Sequence, residues 1–129
     1  MITEYVKNWF KRADEDLELI EILLKEESFS PNPVCFHAEQ AAEKYLKGFL
    51  AYRDLHVRKI HDLEILIEDC EKIDQTFKIL QDSAKSLNQF YIESRYPDDY
   101  IEFSIQDAEE AYEAAKKIKD FVLSKIKNF

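Results

Sequence analysis

Apolar residues return every three or four positions along almost the whole chain, and that rhythm restricts it to helices packed by one face. Tyr5, Trp9, Ala13, Leu17, Ile20 and Leu24 step in this way behind Thr3, a residue suited to an N-cap, which predicts one amphipathic helix from about residue 4 to 27. The Ser28–Pro33 stretch breaks it. Asn32 before Pro33 reads as the cap and first turn of a second helix reaching about Arg53, with Val34, Ala38, Ala41, Tyr45, Phe49 and Tyr52 on its stripe. Leu63 to Cys70 predicts a short third helix. Phe77, Leu80, Ala84, Leu87 and Tyr91 predict a fourth that stops before Pro97. Ser104 and Asp107 form a capping box for a fifth, whose stripe is Ile105, Ala108, Tyr112, Ala115, Ile118 and Val122. No segment alternates with the period of a strand. Long helices joined by short links pack antiparallel, so the expected architecture is all-α: an up-down four-helix bundle with one additional short helix.

A chain of 129 residues is long enough for one core and short for two, so residues 1–129 read as a single domain. No apolar run approaches the roughly 18 residues a membrane span needs, and the N-terminus lacks the basic start and apolar core of a signal peptide. These features predict a cytoplasmic protein without a membrane partner. Cys35 and Cys70 fall within apolar helical stretches and lack CxxC spacing, which predicts two reduced, buried thiols. Small residues at Ala41, Ala42 and Gly48, and at Ala108, Ala111, Ala114 and Ala115, allow helix axes to approach closely, either within the chain or between two copies.

The net charge of −9 disfavours indiscriminate binding to polyanions. The charge is unevenly spread. Residues 4–27 carry four cations against eight acids, whereas residues 43–61 carry Lys44, Lys47, Arg53, Arg58 and Lys59 against Glu43 and Asp54. A locally basic middle on an acidic chain suits a phosphate or an acidic partner, and a solvated helix side gives the same pattern.

Two constellations carry candidate chemistry. The run Tyr91-Ile92-Glu93-Ser94-Arg95-Tyr96-Pro97-Asp98-Asp99-Tyr100 gathers a cation, rings and carboxylates where proline must end a helix, so Arg95, Tyr96 and Asp98 are candidate ligand contacts. An ordinary helix stop, with Arg95 pairing Asp98 or Asp99, is the competing reading. On the second helix Gln40, Glu43, Lys44 and Lys47 share one sector, with His37 at its margin, and could offer a ligand a carboxamide, a carboxylate and two ammonium groups. Glu43 and Lys47 also make the favourable i,i+4 pair of a solvated face. His61 opens His61-Asp62-Leu63-Glu64, where Asp62 can cap the short helix and the imidazole can point to the bundle end. Asp14-Glu15-Asp16 reads as a solvated helix side. With no HExxH, no Cys/His cluster and a single glycine, no metal, no cofactor and no phosphate-cradling loop are expected.

Three segments together resemble the HEPN domain, the nucleotide-binding domain of higher eukaryotes and prokaryotes: His37-Ala38-Glu39-Gln40-Ala41-Ala42-Glu43-Lys44-Tyr45-Leu46-Lys47-Gly48-Phe49-Leu50, then His61-Asp62-Leu63-Glu64-Ile65-Leu66, then Glu93-Ser94-Arg95-Tyr96-Pro97-Asp98. The likeness spans essentially the whole chain in order and spacing. It implies an all-α bundle, a homodimer, a minimal nucleotidyltransferase as partner, a nucleotide as ligand and a role in toxin–antitoxin or defence systems. HEPN ribonucleases carry an Arg followed four to six residues later by His, so that guanidinium and imidazole converge across the dimer cleft on an RNA phosphate. That spacing is missing here: Arg58 precedes His61 by three, Arg53 precedes His56 by three and His61 by eight, and no His follows Arg95. The resemblance therefore implies a non-catalytic binding module, with an RNA-cleaving toxin and a purely structural interaction subunit as the alternatives.

Overall fold

The computed structural model describes residues 2–91 and 101–127, and among them every regular element is helical. Helix α1 (Glu4–Leu24) starts where Thr3 Oγ1 accepts the Val6 amide at 3.2 Å. Its inner stripe is Val6, Phe10, Ala13, Leu17 and Ile20, one position off the predicted stripe at the start: Tyr5 is 56% exposed. It ends at Leu24, three residues earlier than the periodicity suggested.

Helix α2 (Pro31–Tyr52) is the centre of the bundle. The cap is Ser30 with Pro31 in the first turn, not Asn32 with Pro33. Asn32 is used elsewhere: its carboxamide donates to the Ile101 carbonyl at 2.6 Å and accepts the Phe103 amide at 2.8 Å, tying the entry of the last helix to the start of α2. Because α1, α3, α4 and α5 all pack on it, α2 is buried on almost every side, with Cys35, Ala42, Leu46 and Leu50 joining the predicted stripe. Gly48 permits the closest approach: a Cβ there would sit 2.6 Å from Phe10 Cε1. The helix ends in a Schellman motif, with Asp54 in the left-handed region (φ 61°), its amide bonded to the Ala51 carbonyl and that of Leu55 to the Leu50 carbonyl.

Asp62 caps α3 (Leu63–Glu71), accepting the amides of Glu64 and Ile65 at 2.9 and 3.3 Å. The predicted fourth helix divides into a 3₁₀ segment, Gln75–Leu80, and α4 (Gln81–Asn88), which stops short of Tyr91. Asn88 fastens that end to α3, accepting the Leu63 amide at 2.7 Å and donating to Asp62 at 3.0 Å. Helix α5 (Ile105–Ser124) opens on the predicted Ser104–Asp107 capping box. Its stripe holds from Ala108 to Val122, although Ile105 is 55% exposed. The alanines of α2 and α5 are spent inside the subunit: Ala41, Ala42, Ala108, Ala111 and Ala115 are all in the core where these helices meet. The four long-helix positions and the extra α3 make the expected bundle. Both cysteines are free and buried, and no helix among the described residues is long and apolar enough to cross a membrane.

Candidate functional site

Helix α2 carries its polar residues inward, and this overturns the picture of a solvated basic face. Glu39, Glu43 and Lys47 are buried, while His37, Gln40 and Lys44 are half-buried. A helix enclosed on most sides has no wholly wet face, so polar groups on it must find partners inside the fold.

They do so in two triads. At the α1 side, Asp16 lies 2.9 Å from His37 Nδ1 and accepts from Lys44 Nζ at 2.6 Å. Burial alone would raise the Asp16 carboxyl, but the hydrogen bonds from His37 and Lys44 outweigh it and hold it below its usual range. Further along, Glu43 accepts from Lys47 at 3.0 Å through one oxygen and meets His61 Nδ1 at 2.8 Å through the other. The His61 ring in turn stacks on Tyr91, centroids 4.4 Å apart and planes at 19°. Lys47 Nζ also lies 5.8 Å from the centroid of the Trp9 ring.

Between the triads sits Glu39, fully buried. One of its oxygens accepts from Gln40 at 2.8 Å, and the other has no hydrogen-bond partner among the described residues. Burial, reinforced by the nearby carboxylates of Glu43 and Asp16, pushes its pKa up to about 8, so it is mostly protonated at pH 7. Asp16 and Glu43 each hold an ammonium group, that of Lys44 and of Lys47, so the two ion pairs match in charge.

The structure thus brings together His37, Gln40, Glu43, Lys44, Lys47 and His61, and it leaves the rest of the basic middle out. Arg58 points away, held by Asp69 at 3.0 and 2.8 Å, and Arg53, His56 and Lys59 are exposed. Arg95, Tyr96 and Asp98 lie outside the described residues. Lys44 and Lys47 already hold carboxylate partners, so neither is the free phosphate contact that their charge suggested. Sequence reasoning missed Asp16 and Glu39. Asp16 follows Ala13 by three and precedes Ile20 by four, on the edge of the buried stripe, and that spacing was the available signal; Asp14, from the same run, accepts the Tyr45 hydroxyl and lies 3.4 Å from Lys119. No group of three or more His, Cys, Asp or Glu suited to a metal occurs among the described residues.

Known proteins share this arrangement of helices. The HEPN domain family model matches residues 6–126. The chain is 32% identical to "Putative toxin MJ1304" of Methanocaldococcus jannaschii over 143 aligned positions, covering 95% of this chain and 91% of that one. The crystal structure of TT1696 from Thermus thermophilus superposes with a TM-score of 0.83 at 30% identity, covering 96% of this chain and all of that one. ST0689, an archaeal HEPN homologue, superposes with a TM-score of 0.73 at 28% identity over 95% of this chain and 98% of that one.

Proposed function

The chain belongs to the HEPN domain family, and from that premise we propose that it works as a homodimeric, non-catalytic recognition module for a nucleotide or a nucleotidyltransferase partner, in a toxin-related setting. The candidate contacts are His37, Gln40 and Lys44 at the outer edge of the α2 cluster and His61, together with Arg95, Tyr96 and Asp98, which are drawn from the sequence motif alone. One observation carries this reading. His61 is where the buried ion-pair chain reaches solvent: its side chain is 41% exposed, one face is stacked on Tyr91, and Glu43 fixes its Nδ1. An imidazole held in that way is a prepositioned contact for an anion or a ring, and Arg95 follows Tyr91 by only four residues in the sequence. Glu43 and Lys47 act behind it as the buried pair that positions the ring.

The toxin-related setting draws on the printed name of the archaeal relative. An RNA-cleaving toxin is the less favoured reading, because the arginine three residues before His61 is committed to Asp69 by two hydrogen bonds. Calorimetry with ATP tests the ligand half: the wild type binds in the micromolar to millimolar range, and His61→Ala and Arg95→Ala each weaken binding at least about tenfold, the loss of one charge-assisted hydrogen bond. No heat at millimolar ATP contradicts it. RNA cleavage by the wild type that disappears in Arg95→Ala would establish the catalytic alternative instead.

A further inference from the structure

Most of the negative charge of the chain sits at one end of the bundle. Residues 18–27 and 102–113 hold nine acids and one cation, Lys25, a net of −8 on a chain of net −9. The two stretches adjoin because α1 and α5 run antiparallel: Glu21, near the end of α1, accepts the Tyr112 hydroxyl at 2.6 Å, while Asp14, two turns earlier, lies 3.4 Å from Lys119. Among the described residues none of the nine makes an ion pair, and all but Asp107 are exposed. The repulsion within this group is offset by nothing inside the fold.

Between the acids the surface is apolar. A groove of about 410 Å³ is lined by Leu24, Phe29, Ile105 and Tyr112, with Glu109 and Glu113 beside them. Ile105 is 55% exposed, and Ile22 and Ile101 at the same end are 59 and 50% exposed. The α5 residues of the groove, at 105, 109, 112 and 113, share one helical face. Helix α5 therefore has an outer stripe in addition to the inner one, Ala108 to Val122, that packs on α2.

The two parts of this surface select its occupant. An apolar floor takes a segment with an apolar face, and a rim of unpaired carboxylates repels nucleic acid and anionic bilayers alike. A second copy would bring the same concentration of acid against itself. A helix that is apolar on one face and basic along its edges satisfies both floor and rim, by the groove mode of helix recognition. We infer that the α1–α5 groove docks a basic amphipathic helix of a partner protein, whose apolar anchors cover Ile105 and Tyr112 and whose cations meet Glu109 and Glu113. The groove is built on α1 and α5, whereas the α2 cluster reaches solvent at His61 in the α2–α3 connection, so docking here does not depend on the His61 reading.

Fluorescence anisotropy of a labelled synthetic helix, leucine on one face and lysine on the other, titrated with the full chain tests it. The wild type binds saturably. Glu109→Lys combined with Glu113→Lys weakens binding at least about tenfold, and Ile105→Ser at least about fivefold, through lost charge complementarity and lost apolar contact. All three positions are exposed, so the variants keep the circular dichroism of the wild type. Glu15→Lys combined with Glu68→Lys, the same charge change at exposed positions outside the groove, leaves binding nearly unchanged. A loss in that pair as large as in the groove pair means unspecific attraction and overturns the site, as does an Ile105→Ser variant that binds like the wild type. Equal binding of a peptide of the same composition without an apolar face, or no saturable binding at hundreds of micromolar, overturns it too. Self-association of the wild type that Ile105→Ser abolishes gives the groove to a second copy and overturns the partner helix.

Discussion

Glu43 in the middle of α2 reaches across to His61 in the α2–α3 connection, its Oε1 2.8 Å from Nδ1, while its Oε2 holds Lys47 at 3.0 Å. One buried carboxylate thereby serves two ends: it neutralises a buried ammonium and fixes the ring that closes the cluster toward solvent. Glu43→Ala leaves Lys47 buried without a partner and costs about 3–5 kcal/mol, read as a lower urea midpoint. Replacing both Glu43 and Lys47 by leucine costs far less, within about 1 kcal/mol of the wild type, because no charge remains to be desolvated. A pair of single and double variants with equal losses would mean that the ion pair is not the source of the effect.

Gly48→Ala destabilises the protein even though alanine is the better helix former by about 1 kcal/mol. The new methyl would lie 2.6 Å from the buried Phe10 ring, and such overpacking costs about 1–3 kcal/mol. In a Phe10→Leu background the clash is relieved, so the same change becomes neutral or stabilising. Thermal unfolding of the four proteins measures this coupling directly.

Glu39 makes stability depend on pH in the direction opposite to most carboxylates. Its folded pKa of about 8 lies above its ordinary value of 4.5, so its contribution is complete below about 4.5 and is lost as pH rises through 8. Between those limits it removes up to about 1.4 kcal/mol of stability per pH unit. Glu39→Gln, which keeps the shape and cannot ionise, flattens that slope and melts higher than the wild type at pH 8. An unchanged slope in the variant would show that Glu39 does not titrate there.

Asp16 works in the other direction and in another window. Its carboxyl is held below 3.8, so its contribution is present above that value and lost as pH falls through the lowered pKa. Asp16→Asn therefore destabilises at pH 7 by about 1–3 kcal/mol, through the weakened hold on Lys44 and His37, and the gap to the wild type closes under acid. Urea unfolding at pH 7 and pH 3 checks the convergence.

The helices were readable because their boundaries depend on local chemistry: Thr3, Asp62 and the Ser104–Asp107 box cap where the sequence said they would. Asn32 was misread for a long-range reason, since its bonds to residues 101 and 103 span some seventy positions that no local rule sees. The candidate cluster was half legible. Spacing placed Gln40, Glu43, Lys44 and Lys47 in one sector correctly, but whether that sector meets water depends on how many helices surround α2. For the same reason Glu39 was invisible: on a helix enclosed on most sides, burial extends beyond the apolar stripe and takes in a carboxyl that the spacing places outside it. The outer face of α1 was hidden by the opposite error, Tyr5 being counted into the core when it points to solvent.

The central claim is that the His61 end of the α2 cluster is a recognition surface, and amide NMR of the ¹⁵N-labelled protein titrated with ATP tests it most directly. The account predicts saturable shifts concentrated at Lys44, Lys47, His61 and Tyr91, lost in His61→Ala while the remaining spectrum is preserved. Shifts confined to α5, or none at millimolar ATP, would contradict it.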